Sequence, residues 1–167
     1  MPAHSSRNRT LAPAEQLSSR SLLVLDTNVV LDWVAFNDAR VQPMVAAIER
    51  GLLRAATSAA CLEELRRALG YAQVKLDAAA QALAFERYVT HATLFEISKA
   101  AAVTGLPRCE DEDDQKFLEL AWHTRASHLI TRDHALLKLA SQVARAGRFR
   151  VLAPDAFMRS ATGLMLG

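Results

Sequence analysis

Two kinds of apolar spacing alternate along the chain. Ser21-Leu22-Leu23-Val24-Leu25 is a short run dominated by apolar residues, the pattern of a strand buried on both faces. It stops at Asp26-Thr27-Asn28, and the apolar patch from Val29 to Phe36, broken by Asp32, predicts a short helix and loop. Val41, Met44, Val45, Ile48 and Leu52 then fall at helical spacing, with Gly51 as the stop. Leu53 to Thr57 predicts a second strand, and Ser58 an N-cap for a helix carrying Cys61, Leu62, Leu65 and Leu69, closed by Gly70. Lys75 to Ala92 is Ala-rich and predicts a longer helix. Between 93 and 109, Thr93 to Ile97 and Leu106 to Cys109 are both candidate short strands.

The last third predicts a helix from a cap at Asp111 or Asp113 to about Arg125, burying Phe117, Leu118, Ala121 and Trp122. His128 to Thr131 reads as a strand, followed by a helix with Leu136, Leu139, Ala140 and Val143 on one face and Gly147 at its end. Phe149 to Leu152 makes a final strand. Strands alternating with helices predict an α/β fold, a three-layer α/β/α arrangement around a mainly parallel sheet of four to five strands. Residues 1–21, rich in Ser, Ala, Pro and Arg and without periodicity, read as a mobile arm. The folded domain is expected over 22–160, with 161–167 as a flexible tail.

Composition narrows the class. With 167 residues, 51% of them apolar, and Lys+Arg 20 against Asp+Glu 18, the chain suits one domain with a real core. No apolar run is long enough to span a bilayer, and no apolar stretch follows Arg7 and Arg9 as a secretory signal requires. A cytoplasmic protein with no membrane partner is therefore expected. Cys61 and Cys109 are too few for a disulfide framework or a cysteine zinc site. The net charge of +2 hides a focus: Glu110 to Asp114 is an unbroken acidic run, set against Arg125, Arg132, Lys138, Arg145, Arg148 and Arg150 further on. An acidic focus amid arginines suits a metal site facing a polyanion.

The placing of the carboxylates carries the chemistry. In an open parallel sheet, sites form at the carboxyl ends of strands. Asp26 ends the first strand and Asp133 follows the strand 128–131 by two residues. Asp111, Asp113 and Asp114 open the helix after the candidate strand 106–109, and Glu64 sits one turn into the helix after the second strand. Carboxylates brought together raise each other's pKa and call for a compensating cation. All-oxygen ligands select hard divalent ions such as Mg²⁺ or Mn²⁺, which suits phosphodiester hydrolysis. Each acid also has a plainer role: Asp26 and Asp133 as helix caps, and Asp111, Asp113 or Asp114 as partners of a helix dipole. Glu63 and Glu64 point about 100° apart, so only one of them faces the site. Arg66, Arg67, Arg108, Lys116, Arg125 and Arg132 are candidates for phosphate contacts. Trp122 reads as core, whereas Trp33 reads equally as core or as dimer interface.

Four blocks resemble one family. Leu23-Val24-Leu25-Asp26-Thr27-Asn28-Val29, Leu62-Glu63-Glu64-Leu65-Arg66-Arg67, Asp111 to Ala121 and Leu129-Ile130-Thr131-Arg132-Asp133 look like the PIN-domain nucleases. Within that family they are most similar to the bacterial branch of VapC-type ribonuclease toxins. The resemblance spans about residues 22 to 158. It implies metal binding and catalysis by Asp26, Glu64, Asp114 and Asp133, with Asn28, Thr131 and Asp111 as supporting residues. Arg67, Lys116 and Arg132 are then the candidates for nucleic-acid contact. The usual Thr-Gly-Asp block departs here, because Arg132 replaces the glycine and sets a cation beside the site.

The resemblance implies a divalent-metal-dependent endoribonuclease holding one or two Mg²⁺ or Mn²⁺ ions. Activated water attacks the phosphorus in line and the 3′ oxygen leaves. It further implies an RNA substrate, a homodimer, and the toxin role of a type II toxin–antitoxin pair with a separate antitoxin partner. The alternatives are a housekeeping RNA or DNA nuclease of the same fold and a catalytically silent PIN-like binding scaffold.

Overall fold

The computed structural model describes residues 22–98 and 103–165, so the arm expected over 1–21 lies outside the described residues. Five strands form one sheet, and every pairing in it is parallel. β1 (Leu22–Leu25) lies at the centre. β2 (Arg54–Thr57) and β3 (Ala92–Leu94) extend the sheet on one side, β4 (His128–Ile130) and β5 (Arg150–Leu152) on the other, in the order β3-β2-β1-β4-β5. Val24 is in register with Ala56 of β2 and with Leu129 of β4.

The period-two geometry of a strand divides the core in two. Leu23 and Leu25 face one side of the sheet, where they meet Trp33, Met44, Leu65 and Tyr88. Leu22 and Val24 face the other, where they meet Phe117, Leu118, Leu136 and Val143. The first layer is built by α1 (Thr27–Val34), α2 (Gln42–Glu49), α4 (Ala78–His91) and α8 (Pro154–Met165). The second is built by α5 (Gln115–Thr124), α6 (His134–Lys138) and α7 (Ala140–Ala146). α3 (Ala59–Leu69) serves both, with Leu65 and Leu69 in the first core and Cys61 in the second. The result is the three-layer α/β/α fold with a parallel sheet that the alternation of elements predicts.

Local signals account for most boundaries. Ser58 caps α3 by accepting the Cys61 amide at 3.3 Å, and Asp77 caps α4 by accepting the Ala80 amide at 2.8 Å. Gly147 ends α7 at φ 77°, a left-handed conformation that glycine adopts without a Cβ clash. Trp33 belongs to the core: it is 1% exposed and meets Tyr88 edge-on at 5.7 Å. Trp122 is half-buried, with the Arg148 guanidinium 4.3 Å above its ring.

Two readings of the sequence need correction. Leu106 to Cys109 forms no strand, because its backbone is satisfied elsewhere. The Gln115 carboxamide accepts the Cys109 amide at 2.7 Å and donates to the Pro107 carbonyl at 3.2 Å, and Pro107 itself has no N–H to give a ladder. The helix expected across 134–146 is two, divided at Leu139, which serves as the C-cap of α6 and the N-cap of α7. The last helix spans Pro154–Met165. No described helix is long and apolar enough to cross a membrane.

The strand order fixes where a site can form. Connections from β1 run outward to β2 and β3, whereas β4 lies on the opposite side of β1. The order of connections therefore reverses between β1 and β4, the switch point at which a crevice forms outside the carboxyl ends of parallel strands.

Candidate active site

Asp26 and Asp133 meet in that crevice through one hydroxyl. The Asp26 amide donates to Ile130 O at 3.0 Å, which continues the β1–β4 ladder one residue beyond β1. Its carboxylate accepts the Asn28 amide at 3.4 Å as the N-cap of α1. Thr131, fully buried just after β4, donates its hydroxyl to Asp26 Oδ2 at 2.6 Å. The same hydroxyl oxygen accepts the Asp133 amide at 2.9 Å. Asp133 Oδ1 accepts the amides of Ala135 at 2.6 Å and Leu136 at 3.4 Å, capping α6. Capping and site placement thus coexist: the bonds that start the helices also hold both carboxylates in place.

The acidic run reaches the same crevice by a different device. Asp111 accepts the Asp113 amide at 2.9 Å and starts a single 3₁₀ turn, Glu112–Asp114. That turn delivers Asp114 to the N-cap position of α5, where its side chain makes no capping bond. Glu64 comes from α3 and forms an ion pair with Lys116 of α5. Lys116 also donates to the Asp113 carbonyl and lies 5.1 Å from the Phe117 ring centroid. Glu63, one position earlier on α3, is exposed.

Asp26, Glu64, Asp111, Asp113, Asp114 and Asp133 line a single cavity of about 500 Å³. Burial raises the Asp26 pKa, the charges of Asp133 and Glu64 raise it further, and the bonds from Thr131 and Asn28 act against them. Asp114 is pushed up to about 6, first by burial and then by the charges of Asp26, Asp111, Asp133 and Glu64. Its carboxylate thus faces four others with no hydrogen bond of its own among the described residues. Such a group gains from a cation, because a nearby positive charge favours the ionised form.

Among the described residues, no group of three or more His, Cys, Asp and Glu side chains converges tightly enough to make a ready metal cage. The donor set nonetheless has the chemistry of a hard divalent ion: oxygen only and carboxylate-rich, with Asp26 and Asp114 raised in pKa first by burial and then by neighbouring carboxylates. Asp26, Asp114 and Asp133, with Glu64 beside them, are the cavity carboxylates that could be drawn onto such an ion.

The three candidate cations are placed differently. Arg67 lines the cavity, is exposed and has no ionic partner among the described residues. Lys116 is the counter-ion of Glu64. Arg132 turns to α1, where its Nη2 lies 2.7 Å from each oxygen of Asp32. The Asp32 side chain is only 4% exposed, so Arg132 ties the β4–α6 turn to α1. Asp32 interrupts an apolar stretch in the sequence, and that interruption was the available sign of a buried ionic contact. Phe36 and Tyr71 also line the cavity and carried no signal in the spacing of apolar residues.

Comparison with known proteins agrees with this geometry. No curated protein matches the chain. Residues 22–135, from the start of β1 to just beyond Asp133, match the PIN domain. PIN-domain nucleases typically use divalent metal ions, in keeping with a carboxylate-lined crevice. A match over more than half of the chain places this protein in the PIN-domain family, whose members are generally nucleases.

Proposed function

We propose that the chain is a divalent-metal-dependent endoribonuclease. Asp114 carries the reading: a half-buried carboxylate, pushed up to about 6, facing Asp26, Glu64 and Asp133 across one cavity. Four acids around one cavity at the switch point of the sheet, with only Glu64 ion-paired among the described residues, suit a bound cation better than a purely structural surface. Asp26, Asp114 and Asp133 would hold Mg²⁺ or Mn²⁺, with Glu64 nearby. When bound, the metal supplies charge neutralisation at the phosphoryl oxygen and a water acidic enough to attack near neutral pH. Thr131 keeps Asp26 and the Asp133 backbone in fixed relation. Water adds to phosphorus, the P–O3′ bond breaks, and the products carry a 5′-phosphate and a 3′-hydroxyl. Because water is the nucleophile, the ribose 2′-hydroxyl takes no part in bond making, and selection of RNA rests on groove shape.

The proposed biological role is that of a toxin of a type II pair, acting as a homodimer and held in check by a separate antitoxin. Its support is the resemblance of the four sequence blocks to that branch. The test is cleavage of end-labelled single-stranded RNA by the purified chain with Mn²⁺ or Mg²⁺, alongside EDTA and Asp26→Asn controls. Metal-dependent cutting that disappears in the variant bears the reading out. Intact RNA across several substrates, with no effect of metal on melting temperature, overturns it.

A further inference from the structure

The cavity that holds the carboxylates does not end with them. It continues along α1 and α3 to two aromatic side chains, Phe36 just past α1 and Tyr71 just past α3, each 50% exposed. Asp26 caps the start of α1 and Phe36 lies two residues past its last, with the eight-residue helix between them rising about 12 Å. On α3, Glu64 lies in mid-helix and Tyr71 two residues past the helix end, with Arg67 and Ala68 also lining the cavity. The cavity lining therefore combines the six acids with two aromatic rings set just beyond the C-terminal ends of α1 and α3. Neither ring contacts another ring or a cation among the described residues. Most large apolar side chains in the fold are buried, so two half-exposed rings in one cavity are unusual company for six acids.

We infer that Phe36 and Tyr71 form a nucleobase-stacking subsite, in which single-stranded nucleic acid lies along the cavity with Arg67 against its backbone. This deepens, and rests on, the nuclease reading of the carboxylates. Aromatic faces are sequence-tolerant platforms for unpaired bases, whereas a duplex hides its base faces in the stack. Arg67 is exposed and unpaired among the described residues, as a phosphate contact requires. Gln73, exposed on the same cavity in the 3₁₀ turn Ala72–Val74, offers an amide to a base edge. The occupant is an unpaired strand, and a protein segment seated on the same two rings is the competing outcome.

The probe is a 12-nucleotide single-stranded RNA with phosphorothioate linkages, which slow hydrolysis, and a base-free sugar–phosphate strand of equal length. Affinities are measured by fluorescence anisotropy with Mg²⁺ for wild type, Phe36→Ala, Tyr71→Ala, Tyr71→Leu and Arg67→Ala, each checked for an unchanged melting temperature. Stacking predicts that either alanine variant loses about tenfold in affinity for the RNA and nothing for the base-free strand. Tyr71→Leu, which keeps apolar bulk without the ring, is expected to behave as the alanine variant. Arg67→Ala is expected to weaken both strands alike and to reduce the salt slope by about one. Equal losses on both strands for the ring variants, or a leucine variant like wild type, overturn the stacking role. In that case metal-dependent cleavage by the same preparations leaves the nuclease reading standing. Unchanged RNA affinity with loss of self-association in the ring variants overturns the inference in favour of a protein-binding surface. Wild type that neither binds nor cuts RNA overturns the inference and the nuclease reading together.

Discussion

The Thr131 hydroxyl donates to Asp26 Oδ2 at 2.6 Å across a separation of 105 residues, while its oxygen accepts the Asp133 amide. One buried side chain thus sets the relation between the ends of β1 and β4. The contact exists because Leu25 and Ile130 are in register, which brings the residues just beyond them side by side. A carboxylate that keeps a hydrogen-bond donor in a buried place remains usable as a charged group, because the bond to its ionised form opposes the cost of burial.

Replacing Thr131 by valine keeps the volume and removes both bonds. The expected cost is about 1–3 kcal/mol, the penalty for leaving buried polar groups unsatisfied, measured by urea unfolding. A fall in Mn²⁺ affinity of about 10–100-fold is expected alongside it, the usual effect of losing a residue that orients a ligand. Thr131→Ser retains the hydroxyl and is expected to recover most of both. A valine variant equal to wild type in stability and in affinity would remove Thr131 from the account.

Asp114 contributes to the pH dependence of the metal-free protein. Its folded pKa, about 6, lies above the ordinary value of 3.8, so the folded state holds more protons than the unfolded one between those values. The contribution of this group to stability is therefore full below about 4 and declines as pH rises through about 6. In EDTA, Asp114→Asn is expected to flatten that decline and to raise the melting temperature at pH 7 by about 2–4 °C, the shift that about 1 kcal/mol gives a domain of this size. The same variant is expected to lose most of the stabilisation that Mn²⁺ gives wild type. Thermal melts across pH 4–8 check both, and a melting temperature that climbs with pH over that interval in wild type contradicts the assignment.

Much of this arrangement was legible in the sequence. The apolar runs at Leu22–Leu25 and His128–Ile130 mark strands, and acids directly after strands mark the crevice end, so Asp26 and Asp133 stood out before any contact was known. The angular offset of Glu63 and Glu64 left room for only one at the site, and the family pattern picked Glu64. What could not be read were pairings across elements. Lys116 on Glu64 and Arg132 on Asp32 depend on how α3 meets α5 and how the β4–α6 turn meets α1, and no local spacing encodes either. The missing strand at 106–109 has the same cause, since a side chain beyond the segment took over its backbone bonds.

Lys116 is a cation already resident among the acids, paired with Glu64. A divalent ion drawn to the same group competes with it. Lys116→Met is expected to lower metal-free stability by about 0.2–1 kcal/mol, the range for a partly exposed pair, and to tighten Mn²⁺ binding. Calorimetric titration checks the second effect. Weaker Mn²⁺ binding in the variant would mean that Lys116 supports the metal rather than competes with it.

Arg132 and Asp32 form a contact that holds the β4–α6 turn against α1. Burial raises the Asp32 pKa and the Arg132 charge lowers it, so removing the arginine leaves a buried carboxylate without its partner. Arg132→Ala is expected to cost about 1.5–3 kcal/mol, as for a hydrogen bond to a charged group. Asp32→Asn combined with Arg132→Ala is expected to cost less than the sum of the single changes. Additive costs in a double-mutant cycle would show that the two side chains do not depend on each other.

The most direct test of the account is a Mn²⁺ titration of the purified chain, followed by electron paramagnetic resonance, in wild type and in Asp26→Asn and Asp114→Asn. The account predicts one or two ions bound per chain in wild type and a loss of that binding in both variants, each still folded by circular dichroism. Wild type that leaves all Mn²⁺ free up to millimolar concentration, or variants that bind it as wild type does, would contradict the claim that these carboxylates form a metal-dependent nuclease site.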